Sequence, residues 1–216
     1  MVQVWRAAAI ASALTAYALL SHWLMVHAAN DPLTLALLFG PLILAVAGLS
    51  WRRRDVLALS ACAALLVLLV AVVLQGGVQD AQRMYVLQHG GIHLALAWTF
   101  GLSLRAPHTP LITVIARGVH RRLGQTFSPT MAVYTRRLTR VWVGYFVGMT
   151  VLSVLLYALA PWPWWSLFCT VLTPLAVVAV FVGEYLWRYW MHPEFPRVSM
   201  RVAVDAYRRS RTEEVS

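Results

Sequence analysis

The stretch Val56–Leu74, VLALSACAALLVLLVAVVL, contains 19 residues and not one charge. Arg52, Arg53, Arg54 and Asp55 stand directly before it. At 1.5 Å of rise per residue a helix of this length measures about 28 Å, close to the roughly 30 Å of bilayer hydrocarbon. Lipid offers the backbone no hydrogen-bond partner, so a run of this kind must satisfy itself as a helix. Working outward, five more apolar runs appear, at residues 7–28, 33–49, 84–104, 141–159 and 164–187. The pattern predicts an all-α polytopic membrane helical bundle of about six transmembrane helices.

Composition agrees. Hydrophobic residues make up 60% of the 216-residue chain and charged residues 12%. A soluble domain carries about 45–50% apolar and about 25% charged residues, so this chain has too little charge to coat a water-facing surface. A soluble enzyme and a nucleic-acid binder are both excluded. All 18 basic residues are Arg, and the net charge is +10. Each guanidinium stays ionised and can hold a phosphate or carboxylate with a two-pronged fork. Cys62 and Cys169 both fall in apolar runs and read as small buried hydrophobes.

The arginines fix an expected orientation. One side collects Arg6, the Arg52–Arg53–Arg54 turn, the seven arginines of segment 105–140, and six more from Arg188 onward. The other side holds Arg83 alone. Positive charge gathers on the cytoplasmic face, which predicts both termini inside. Trp162, Trp164 and Trp165 then mark the outer end of the last span, and Trp187 and Trp190 the inner end. Val26-His27-Ala28 resembles a signal-peptidase site, but the next span begins almost at once, so the first helix is expected to be retained.

Four regions follow: residues 1–104 with helices one to four, an Arg-rich cytoplasmic or interfacial segment at 105–140, helices five and six at 141–190, and a tail at 191–216. Pro41 and Pro174 should kink their helices. Gly144 and Gly148 offer close helix contact within the bundle. Pro107 and Pro110 end the fourth helix. Residues 111–123 predict a short interfacial helix with Leu111, Ile112, Ile115, Val119 and Leu123 as its apolar stripe, stopped by Gly124. Ser128-Pro129 is a start signal for a helix running unbroken into the fifth span. A short helix is expected around 202–211.

Candidate site residues cluster at the inner side. Glu184 needs a partner at its depth, and Arg188 stands four residues on, with Arg105 as a second candidate. Arg136 and Arg140 share a helix face, as do Tyr134 and Arg137. The plain reading of these arginines is contact with anionic lipid heads; the sharper one is a site for a phosphate-bearing substrate or an acidic protein. In the outer half, His22, His27, His89 and His93 form a second constellation. His89 and His93 face one way, separated by Gly90 and Gly91, and four imidazoles at one depth suit a haem or metal if their helices touch. The plainer alternative is polar helix contact, and no metal or other cofactor is expected. The chain has no Walker loop and no G-x-S-x-G, and His27 precedes Asp31 by four residues rather than five. No nucleophile can be named, which leans against an enzyme.

From Tyr85 onward a set of motifs carries a resemblance. They are Tyr85-x-x-Gln88-His89-Gly90-Gly91-x-His93, Phe100-Gly101-x-Ser103-Leu104-Arg105, Pro110-Leu111-x-Thr113, Tyr134-Thr135-Arg136, Trp165-Ser166 and Glu184-Tyr185-x-x-Arg188. Together they resemble a family of uncharacterised bacterial inner-membrane proteins encoded in gene clusters for aryl polyene or xanthomonadin-type pigments. The resemblance implies a setting in which polyene acyl chains are built on acyl carrier proteins and become membrane lipids. It also favours Arg105, Tyr134, Arg136, Glu184 and Arg188 over the histidines. The function expected is an accessory protein for synthesis, membrane handling or export of such a pigment, docking an acyl carrier protein or anionic lipid. The alternatives are an integral-membrane acyl- or lipid-modifying enzyme using Arg136 and Glu184, and a redox protein using the histidines.

Overall fold

The structure, a computed structural model, describes residues 2–75, 81–193 and 195. Every regular element among them is helical: α1 (Val2–His27), α2 (Pro32–Arg53), α3 (Val56–Leu74), α4 (Ala81–Ser103), α5 (Leu111–Arg122), α6 (Pro129–Leu159), α7 (Trp162–Leu167), a π-helical turn (Phe168–Leu172) and α8 (Thr173–Met191). The expected helix at 202–211, and the arginines from Arg197 onward, lie outside the described residues.

Helix boundaries follow local chemistry. Asp31 opens α2 by accepting the Leu33 N–H at 2.8 Å, with Pro32 in the first turn. Asp55 opens α3 by accepting the Ala58 N–H at 3.0 Å. Between α2 and α3 only Arg54 and Asp55 intervene, which makes the two helices an antiparallel hairpin. Arg54 turns the chain at φ 54°, ψ 33°, a left-handed conformation that a side chain adopts at a cost. Ser128 opens α6, its Oγ accepting the Met131 N–H at 3.2 Å. At the end of α5, Gly124 has φ +64°; its N–H reaches Arg121 O at 3.2 Å, and the Gln125 N–H reaches His120 O at 2.9 Å. That pair of bonds is a Schellman stop, for which glycine is the natural residue.

Five candidate membrane spans are long and apolar enough to cross: Ala9–His27, Pro32–Arg52, Val56–Leu74, Pro129–Leu159 and Trp162–Met191. The chain is a multi-pass helical membrane protein. Many of its large apolar side chains stay uncovered, Leu57 and Leu74 more than 80% exposed, as a lipid-facing surface requires. The remaining expected span, α4, has 23 residues, enough for about 34 Å. Gln82, Arg83, Gln88, His89 and His93 keep it out of that set of five.

The helices divide into two compact units. The first comprises residues 1–89 and 153–176, the second residues 90–152 and 177–216. In the first, Met25, Leu35, Leu38, Ala81, Tyr85 and Trp165 form the core. Trp162 stacks on Trp165 at 4.8 Å and donates its indole N–H to Met25 O at 2.6 Å, satisfying a carbonyl in the last turn of α1. Tyr85 donates to Ala29 O at 2.9 Å. In the second unit Ala97, Trp142 and Phe146 form the core, with Ile112, Val177 and Val180 packed on it.

Three expectations gain detail or change. Pro174 does not stand in uninterrupted α-helix. It follows a π turn, where the Thr173 N–H bonds Phe168 O, a register shift that absorbs the missing proline donor. Gly144 and Gly148 make no close packing among the described residues, since a Cβ added to either would meet nothing within 4 Å. In α5 the expected apolar stripe divides: Ile112 joins the core beside the buried Thr113, whereas Ile115 is 57% exposed, as a side chain facing the interface would be.

Candidate functional site

All six residues expected at the inner side, Arg105, Tyr134, Arg136, Arg140, Glu184 and Arg188, belong to the second unit. The unbroken run of α6 positions half of them. Its 31 residues measure about 46 Å, roughly 16 Å more than the hydrocarbon needs. The surplus must be the N-terminal part, because that is where Arg136, Arg137 and Arg140 lie.

The buried stripe of α6 runs through Met131, Thr135, Thr139, Trp142, Phe146, Met149 and Ser153, at steps of four and three. The polar members satisfy themselves locally: the hydroxyls of Thr135 and Thr139 donate to Met131 O and Thr135 O, both at 2.8 Å. Thr135 also meets Thr113 of α5, oxygen to oxygen, at 2.8 Å. Since the Thr135 proton already goes to a carbonyl, Thr113 is the donor of that pair. The Leu111 N–H donates to Ser103 Oγ at 3.0 Å, so the end of α4 caps the start of α5.

On this frame Tyr134, Glu184 and Arg188 come together. The Tyr134 hydroxyl donates to Glu184 Oε1 at 3.0 Å, and Arg188 Nε lies 3.3 Å from the same oxygen as an ion pair. The Arg188 guanidinium also lies over the Tyr189 ring at 5.1 Å. His192 and Phe195 stack at 4.5 Å, and both present to Tyr134, at 5.3 and 5.8 Å. Arg105 is not the partner of Glu184; its guanidinium sits 6.0 Å from the Trp98 ring. Arg136 donates to Leu104 O at 3.2 Å, a cation on the carbonyls beyond α4. Arg137 and Arg140 are exposed, as are Arg105, Arg117, Arg121, Arg122 and Arg136. Glu184 is the sole carboxylate among the described residues of this unit, and Tyr134 and Arg188 already engage it.

The four histidines go to separate environments. His22 Nδ1 lies 2.9 Å from Ser166 Oγ. His27 donates from Nδ1 to Trp23 O at 2.9 Å and stacks on that ring. His89 Nε2 lies 3.2 Å from Thr173 Oγ1, with Trp165 and Phe168 edge-on. His93 belongs to the second unit and packs on Phe146 at 6.1 Å. His89 and His93 are simply members of the buried stripe Ala81–Tyr85–His89–His93–Ala97 of α4. Gly90 and Gly91 do not bring a backbone close: a Cβ at Gly90 would make ordinary contact with Thr150 at 3.9 Å, and one at Gly91 would meet nothing. Among the described residues, no three His, Cys, Asp or Glu side chains gather to hold a metal. Cys62 and Cys169 are both free thiols.

Sequence reasoning missed the partners of these groups. Ser166, Thr173, Thr113, His192 and Phe195 carry no local signal that they meet His22, His89, Thr135 and Tyr134. The four-residue spacing of Thr135 and Thr139 with Met131 was a usable sign of a buried stripe.

No protein-family model matches the chain, and no curated protein or solved structure matches it.

Proposed function

We propose that this chain is an accessory protein of the bacterial inner membrane that serves the synthesis, handling or export of a polyene-like lipid pigment by docking an acidic acyl carrier protein. In this reading α4 crosses as a sixth span, both termini are cytoplasmic, and the start of α6 projects into the cytoplasm. One observation carries it. Arg136, Arg137 and Arg140 are exposed on the stretch of α6 that exceeds the hydrocarbon, while the unit's described carboxylate is engaged by Arg188 and Tyr134. An uncompensated row of guanidinium groups steers and orients an acidic protein, and its binding weakens as salt rises. The Tyr134–Glu184–Arg188 cluster acts as the brace that ties α8 to the docking helix. The motif resemblance supplies the pigment setting.

The test uses the protein in nanodiscs and acyl carrier proteins from the same organism. Wild type should bind one of them with affinity that falls with salt. The triple variant R136Q/R137Q/R140Q should bind at least about tenfold more weakly at low salt, since several rim charges are lost together. A wild-type protein that binds no carrier, together with normal pigment in a deletion strain, would remove the reading.

A further inference from the structure

Among the described residues, the side of α5 that faces away from the core is a further exposed surface of the second unit. The helix is held by one side. Thr113, 2% exposed, meets Thr135; Ile112 packs on the Ala97–Trp142–Phe146 core; and His120 sets its ring against Phe127 at 5.6 Å. At 100° per residue the opposite side presents Val114, Ile115, Arg121 and Arg122. Val114 and Ile115 are 51% and 57% exposed, and both arginines are exposed. The open side is thus apolar in its first half and cationic in its last turn. Arginines in a last turn also suit the helix dipole, which would account for the charges alone. It does not account for two adjacent β-branched side chains left uncovered beside them.

Chain length limits what can cover this side. Seven residues (104–110) link α5 to α4, and six (123–128) link it to the spanning helix α6. A seven-residue link reaches at most about 25 Å, so α5 stays near the bilayer surface. There, apolar side chains enter the acyl boundary and arginines meet phosphates. α5 itself carries no acidic residue to repel them.

We infer that the open side of α5 binds anionic phospholipid headgroups of the membrane the chain spans, with Val114 and Ile115 immersed and Arg121 and Arg122 on the phosphates. The surface is separate from the α6 docking row and stands or falls without it.

The experiment places a spin label at Ile115→Cys in the full chain lacking Cys62 and Cys169. Nanodiscs of phosphatidylcholine alone are compared with nanodiscs containing phosphatidylglycerol. With phosphatidylglycerol the label should become accessible to oxygen and shielded from a water-soluble nickel chelate. R121Q/R122Q should need roughly 25-fold more phosphatidylglycerol for the same immersion, at about fivefold per arginine. A label at Arg117→Cys, nearer the packed side, should change less and reports whether α5 remains folded in each sample. A label that stays water-exposed in both lipids overturns the inference. So does immersion that is equal with and without phosphatidylglycerol, or shielding that appears only when a soluble protein is added.

Discussion

Tyr134 and Glu184, fifty residues apart in sequence, share a hydrogen bond of 3.0 Å that ties the start of α6 to α8. The carboxylate oxygen that accepts it is also the one nearest Arg188, so a single atom joins two helices and neutralises one cation. A carboxylate at the end of a membrane helix is costly unless it is paired, and here a phenol hydrogen-bonds it while a guanidinium offsets its charge.

Removing the phenol tests that bond. Tyr134→Phe should lower stability by about 1.5 kcal/mol, the low end for a hydrogen bond to a charged group, because the site is partly exposed. In a Glu184→Gln background the same change should cost distinctly less. Thermal unfolding of the four proteins in one detergent gives the coupling directly. Equal costs in both backgrounds would mean the bond contributes nothing.

Thr113 and Thr135 should respond unequally. Thr113→Val deletes a donor, and Thr135 keeps its bond to Met131 O. Thr135→Val strands the buried Thr113 hydroxyl without its acceptor, and a stranded hydroxyl costs about 1–3 kcal/mol. Thr135→Val should therefore be the more damaging, and the double valine variant should recover part of the loss. Proteolysis within the 123–128 link, which frees α5, is a suitable readout alongside unfolding.

The turn at Arg54 offers a stabilising change. Its left-handed backbone costs a side-chain-bearing residue about 1 kcal/mol that glycine does not incur. Arg54→Gly should raise the unfolding midpoint, and Arg54→Val should lower it. Arg52 and Arg53 keep positive charge at this turn.

Orientation turns on α4. If it crosses, reporters fused after Leu74 and after Arg122 should fall on opposite sides, with the second in the cytoplasm. Reporters on one side would make α4 a buried but non-crossing helix and put the termini on opposite faces.

Much of the architecture was legible because its causes are local. Asp31, Asp55, Ser128 and Gly124 set helix ends through bonds that reach two to five residues along the chain. The Glu184–Arg188 pair follows from one helical turn. The split of the α5 stripe was not legible: Ile112 and Ile115 are both apolar, and which of them meets the core depends on where α5 docks against α6.

The sequence by itself determined that this is a membrane protein of long apolar helices, where they begin and end, and that its cations gather in the 105–140 segment and beyond. Those properties depend on hydrophobic length, backbone satisfaction and capping, all of which act within one segment. Tertiary structure decided that Tyr134 meets Glu184, that Thr113 meets Thr135, that Arg105 leaves Glu184 to Arg188, and that the four histidines are dispersed among separate partners. Lipid is as apolar as leucine, so hydrophobicity does not select which helix faces touch; that choice falls to the few polar side chains that must find one another.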